Sequence, residues 1–131
     1  MQKITTFFMF DGKAEEALNF YTSLFPNSRV LNITRYRSGQ VGAEGTVMHA
    51  LFQLDGQEFM CIDSNIKHDF NFTPATSLYV NCVNEAEVER LFAQLSQGGQ
   101  ILMPLDSYPF SRKYALLTDR FGISWQLSLI D

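Results

Sequence analysis

The stretch "TSLYVNCVNEAEVERLFAQLSQGG", residues 76–99, decides the fold, because it restarts an order of elements already used at the beginning of the chain. Its first part, "TSLYVNCV" (76–83), reads as a β-strand. Its second part, "NEAEVERLFAQLSQGG" (84–99), reads as a helix with Asn84 as N-cap and Gly98 or Gly99 past its end. The chain opens in the same way. "ITTFFMF" (4–10) is β-branched and aromatic, hence a strand, and in the residues that follow Ala14, Ala17, Leu18, Tyr21, Leu24 and Phe25 recur at helical spacing. The helix is expected to start at Asp11 or Gly12, with Glu15 and Glu16 at the positive end of its dipole, and "FPNS" (25–28) stops it. At an offset of 71, Phe7 falls on Leu78, Met9 on Val80, Glu16 on Glu87, Leu24 on Leu95 and Val30 on Ile101. The repeated order points to an internal duplication.

Working outward, the first helix is followed by "RVLNITRY" (29–36), a glycine-spaced loop at 38–45, "TVMHALFQL" (46–54), the turn dipeptide "DG" and "QEFMCID" (57–63). A "DG" between two alternating runs is a strong hairpin signal. The second helix is followed by strands at 100–105, 114–119 and 123–130, with "DSYPFSRK" (106–113) read as a loop. The expectation is an α+β fold made of two βαβββ units: unit one at 1–64, a polar connector at 65–75 and unit two at 76–131, all within a single domain of 131 residues.

Composition narrows the function classes. A formal charge of −4 argues against a nucleic-acid binder, which needs clustered Lys and Arg. No apolar run approaches the roughly 18 residues of a membrane span, and the opening "MQKITTFFMF" has no signal-peptide pattern. Cys61 and Cys82 lack the spacing of a zinc site and read as buried free thiols in a reducing, cytoplasmic setting.

The segments "ITTFFMFDGKAEEALNFYTSLF", "GTVMHALFQLDGQEFMCID", "SLYVNC" and above all "SRKYALLTDRFGISWQL" resemble the vicinal oxygen chelate superfamily of glyoxalase I, extradiol dioxygenases and bleomycin-resistance proteins. The match is nearer to its PhnB-like branch, many of whose members carry the name 3-demethylubiquinone 3-methyltransferase. The resemblance implies two βαβββ units, each a curved mixed sheet with its helix on the outer face, around a pocket usually completed by a second subunit, so a homodimer is expected; sheet edges and an excess of Phe agree with it. In metal-using relatives His, Gln and Glu from strands of both units hold a divalent ion. Here those places fall near Ile4 to Thr6, at Ser77, around Met60 to Ile62 and at Gln126, a poor ligand set. No metal and no cofactor are therefore expected. No glycine-rich turn of the kind that holds a methyl donor follows residues 4–10, which argues against methyl transfer by that route.

Strand alternation places Trp125, Leu127 and Leu129 under the outer helix, with Gln126 and Ser128 on the other side. Gln126, by this alternation, and Ser77, by the place the resemblance gives it, are candidate ligand-binding residues. Alternation also puts Val47, His49 and Leu51 on one face. His49, which titrates near neutrality, is a candidate acid or base, with Asp63 as its orienting partner or as the cap of a turn. In "DSYPFSRKY" (106–114), Tyr108, Arg112 and Tyr114 are candidate contacts to an anionic or aromatic ligand. The leading expectation is a metal-independent protein that binds a small molecule. An enzyme using His49 with Asp63 or Gln126, and an assembly protein with a closed pocket, are the alternatives.

Overall fold

The structure, a computed structural model, describes residues 2–130. The chain forms two compact units, Met1–His68 and Asp69–Asp131. Each is a βαβββ unit. The first consists of β1 (Thr6–Phe10), α1 (Ala14–Leu24), β2 (Arg29–Arg35), β3 (Val47–Leu54) and β4 (Gln57–Asp63). The second consists of β5 (Ser77–Cys82), α2 (Glu85–Leu95), β6 (Gln100–Tyr108), β7 (Ser111–Thr118) and β8 (Ser124–Leu129). Each unit has one four-stranded mixed sheet, ordered β1-β4-β3-β2 and β5-β8-β7-β6, in which the first and last strands of the unit run parallel. No helix among the described residues is long and apolar enough to cross a membrane.

Each sheet buries one side under its helix. In unit one the helix side carries Phe8, Phe10, Ala50, Phe52, Phe59 and Cys61. Phe59 stacks on Phe52 at 5.5 Å and on Phe8 at 6.0 Å, and with Phe10 these account for four of the 12 Phe of the chain. Ala14, Ala17, Leu18, Tyr21 and Leu24 of α1 close this side from outside. In unit two the helix side carries Cys82, Ala115, Leu117, Trp125, Leu127 and Leu129, covered by Val88, Leu91 and Leu95 of α2.

Local chemistry sets the boundaries. The β3–β4 hairpin turns on Asp55 and Gly56, both at positive φ (49° and 81°), the two-residue turn that "DG" announces. Asn84 caps α2 by accepting from Glu87 N at 2.9 Å, and Glu87 Oε1 accepts from Val83 N at 2.9 Å. Gly99 is required by close approach, since a Cβ there would sit 2.1 Å from the Thr118 carbonyl oxygen.

Three sequence expectations need correction. First, α1 begins at Ala14 after Lys13, not at Asp11 or Gly12, and no side chain at Lys13 caps it. The cap comes from Asp63, far away in sequence. Second, the 106–113 stretch is not a loop: β6 runs on to Tyr108 and β7 begins at Ser111, leaving a tight hairpin around Pro109 and Phe110. Third, the offset of 71 fits the helices but not the opening strands. Three residues separate Phe10 from Ala14, and two separate Cys82 from Glu85. The offset within the strands is therefore 72, aligning Phe8 with Val80 and Phe10 with Cys82 on the helix sides. A slip of one residue reverses the face of every strand position, and indeed Phe7 and Met9 are exposed at 47% and 37%.

Candidate functional site

Pairing registers define the far side of each sheet, away from its helix. In unit two, successive rows across the strands read Gln100–Thr118–Ser124–Ser77, then Met103–Leu116–Gln126–Tyr79, then Asp106–Tyr114–Ser128–Asn81. The Tyr108–Ser111 pair closes the hairpin end. This face is polar and aromatic. Ser77 Oγ lies 2.7 Å from Ser124 Oγ, and Ser111 Oγ lies 2.9 Å from Ser128 Oγ. Three rings gather around Tyr114: Phe110 at 4.8 Å and Tyr108 at 5.6 Å, both edge-to-face, and Tyr79 at 6.5 Å. Tyr79 and Phe110 are exposed, whereas Tyr114 is buried.

At the centre, the Tyr114 hydroxyl donates to Gln126 Oε1 at 2.5 Å. Burial, reinforced by Tyr79 and Tyr108, holds the Tyr114 phenol above its usual range, so it is a neutral donor at physiological pH. The bond fixes the Gln126 carboxamide with its oxygen engaged and leaves the nitrogen as a donor.

Unit one's far side differs. Phe7 pairs with Met60, Met9 with Ile62, and Leu51 with Met60, an apolar centre flanked by Asn32, Thr34 and the Gln53–Glu58 pair. His49 shares this side with Leu51, by alternation from Ala50, which faces the helix. Val47 does not share it. The β2–β3 ladder slips between Thr34 and Arg35, an extra residue enters β3, and Val47 turns inward to full burial.

The structure separates His49 from Asp63. Asp63 is buried on the helix side of β4, where Oδ1 accepts from Ala14 N and Oδ2 from Val47 N, both at 2.9 Å. It caps α1 and pins the start of β3, the capping alternative rather than the orienting one. Arg112 also lies apart from the ring cluster. A bulge in β7 between the Asp106–Tyr114 and Tyr108–Ser111 pairs turns the intervening residues toward α2. Arg112 Nη1 then lies 3.8 Å from Glu85, and Lys113 Nζ lies 3.0 Å from Glu89. Ser77, Tyr108, Tyr114 and Gln126 do come together on one sheet face. Sequence reading missed Tyr79 and Phe110, although alternation in "SLYVNC" marks Tyr79 as opposite in facing to Leu78 and Val80. The charge on Arg35 is also committed, through a two-pronged pair with Glu15 at 2.9 and 2.6 Å.

The residues do not fit the metal site of the superfamily. Gln126 Oε1, the one good donor atom on β8, is held by Tyr114, and Ser77 is held by Ser124. Among the described residues no group of three or more His, Cys, Asp or Glu is placed to hold a metal ion. Burial pushes the Cys61 thiol up to about 12 and Cys82 to about 11, so both stay protonated at neutral pH and neither is an activated nucleophile.

Residues 2–128 match the family model described as 3-demethylubiquinone-9 3-methyltransferase. The chain is also 61% identical to the PhnB protein of Bacillus cereus, which carries the same methyltransferase name; the match covers 98% of this chain and 100% of that one, with a TM-score of 0.97. The chain belongs to the PhnB-like family. Its fold is the vicinal oxygen chelate fold. A Pseudomonas aeruginosa protein at 24% identity shares the fold with a TM-score of 0.84, covering 98% of both chains. A glyoxylase/bleomycin resistance protein/dioxygenase domain from Frankia, 14% identical, shares it at 0.68 over 100% of this chain and 93% of its own. No curated protein matches. The PhnB-like fold expected from the final segment "SRKYALLTDRFGISWQL" is thus the fold observed.

Proposed function

We propose that this PhnB-like protein binds a small molecule on the far face of the unit-two sheet, and that it does so without a metal. The observation that carries the reading is the Tyr114–Gln126 hydrogen bond. It occupies the oxygen that a metal would need and presents the carboxamide N–H groups beside exposed rings. Rings supply contact area and the carboxamide supplies direction, the usual division of labour in a ligand site. Ser77 belongs to the same face. His49, on unit one's far side, enters the proposal as its candidate acid or base. The homodimer and the cytoplasmic setting remain parts of it, supported by exposed Phe7 and Met9 and by two free thiols. Methyl transfer is not part of it. The turn between β1 and α1, Asp11–Gly12–Lys13, carries a single glycine and leads straight into the helix.

The test is a fragment screen by NMR, run with and without EDTA. Hits are expected to perturb Tyr79, Tyr114 and Gln126, and EDTA to change nothing. Gln126→Ala should weaken them about tenfold, the worth of one directed hydrogen bond. Elemental analysis should find less than about 0.1 equivalent of Zn, Ni, Mn or Fe. Stoichiometric metal, EDTA-sensitive binding, or perturbations confined to other surfaces would each refute the reading.

A further inference from the structure

The same face also selects a charge, and of the anionic or aromatic ligand considered for Tyr108, Arg112 and Tyr114 the arrangement favours the aromatic one. None of the paired positions on the far side of the unit-two sheet is Lys or Arg. The two basic residues nearest in sequence, Arg112 and Lys113, are turned by the β7 bulge to Glu85 and Glu89 on α2. The one charged residue in these cross-strand rows is Asp106, paired directly with Tyr114 and exposed. Its Oδ1 accepts from Ser107 N at 2.7 Å, which orients the carboxylate without neutralising it. Its row neighbour Tyr114 is ringed by Tyr79, Tyr108 and Phe110 at differing tilts.

We infer that the unit-two face recognises a small organic cation, a substituted ammonium carried on or near a planar group. The inference rests on the small-molecule reading above and deepens it. Ring faces carry negative quadrupole potential, and a weakly hydrated ammonium loses little on leaving water for them. The Asp106 carboxylate adds a formal negative charge at the rim of the ring cluster. An anion meets neither a cation nor a cluster of free amides there; it meets π-faces and a like charge. The Gln126 carboxamide nitrogen, one row away from Tyr114, is left to donate to a carbonyl or ether oxygen on the same ligand. The recognised species is therefore a cation at the Tyr108–Phe110 end and an acceptor at the Gln126 end.

Three probes of matched ring size separate the possibilities: benzyltrimethylammonium, benzamide and benzoate, each titrated into the full-length protein labelled with ¹⁵N. The cation is expected to bind at least about tenfold more tightly than benzoate, with the largest shifts at Tyr79, Phe110 and the Gln126 side-chain amide. Asp106→Asn should weaken the cation about threefold and leave benzamide unchanged. Tyr79→Ala, at an exposed ring, should weaken both. Equal or tighter binding of benzoate, or benzamide binding with no preference for the cation, overturns the cation inference and leaves the small-molecule reading standing. If none of the three perturbs these resonances at about 10 mM, the small-molecule reading falls with it.

Discussion

Replacing Asp119 by alanine is expected to destabilise the protein by about 4 kcal/mol, a loss at the upper end of what one substitution causes. Asp119 is only 3% exposed and lies in the turn that joins β7 to β8. Its Oδ1 accepts from Phe121 N at 2.8 Å and from Ile123 N at 3.1 Å, and its Oδ2 accepts from Trp125 Nε1 at 2.8 Å. The carboxylate thus shapes the turn and holds the indole under α2. Alanine leaves these donors short of a partner, at about 1–3 kcal/mol each, with partial relief from water and relaxation. Urea denaturation followed by Trp125, the single tryptophan, measures the loss directly. A melting temperature lower by roughly 10–15 °C is expected for a chain of this size. Asp119→Asn keeps one acceptor oxygen and should lose about half as much. An alanine variant within about 1 kcal/mol of the parent would show that the turn holds without its carboxylate.

Asp63→Ala is expected to follow, at about 3 kcal/mol, and to leave ligand binding on unit two intact. Its carboxylate spans Ala14 N and Val47 N and serves as the cap that Lys13 does not provide. Removing it opens the first turn of α1 and the first residue of β3 together. Hydrogen exchange should therefore accelerate at Ala14 and Val47 beyond the global loss, whereas a role as a catalytic partner of His49 predicts no such local signature. Unchanged stability with abolished binding would restore Asp63 to the functional list.

The sequence made the fold legible because its signals were local: helical spacing in each half, "DG" at 55–56, Asn84 before α2, and the alternation that set Trp125 and Gln126 on opposite sides. It hid whatever depended on bulges or on distant partners. One extra residue in β3 moved Val47 away from the His49 side, and the β7 bulge carried Arg112 to Glu85. No periodicity reports an inserted residue, since alternation is only a parity rule and a bulge changes the parity. Asp63 shows the other limit. A carboxylate at the end of a strand reads equally well as a catalytic partner or as a cap, and only its two backbone donors decide. Tyr79 and Phe110 were hidden differently, because their meaning comes from a cluster assembled from β5 and from the β6–β7 hairpin.

The two buried carboxylates also differ in how much chain they close. Asp119 reaches partners two, four and six residues away, whereas Asp63 reaches partners 16 and 49 residues away. Closing a long loop before its contacts form carries an entropic penalty that a short turn avoids. The Asp119 turn is therefore expected to assemble early, before the transition state for folding, and the Asp63 clamp to lock after it. In kinetic terms, Asp119→Ala should slow refolding and Asp63→Ala should chiefly hasten unfolding. A refolding limb slowed equally by both substitutions would contradict that order. If the order holds, the second half of the chain acts as the seed on which folding begins, and the half translated first is the one that waits.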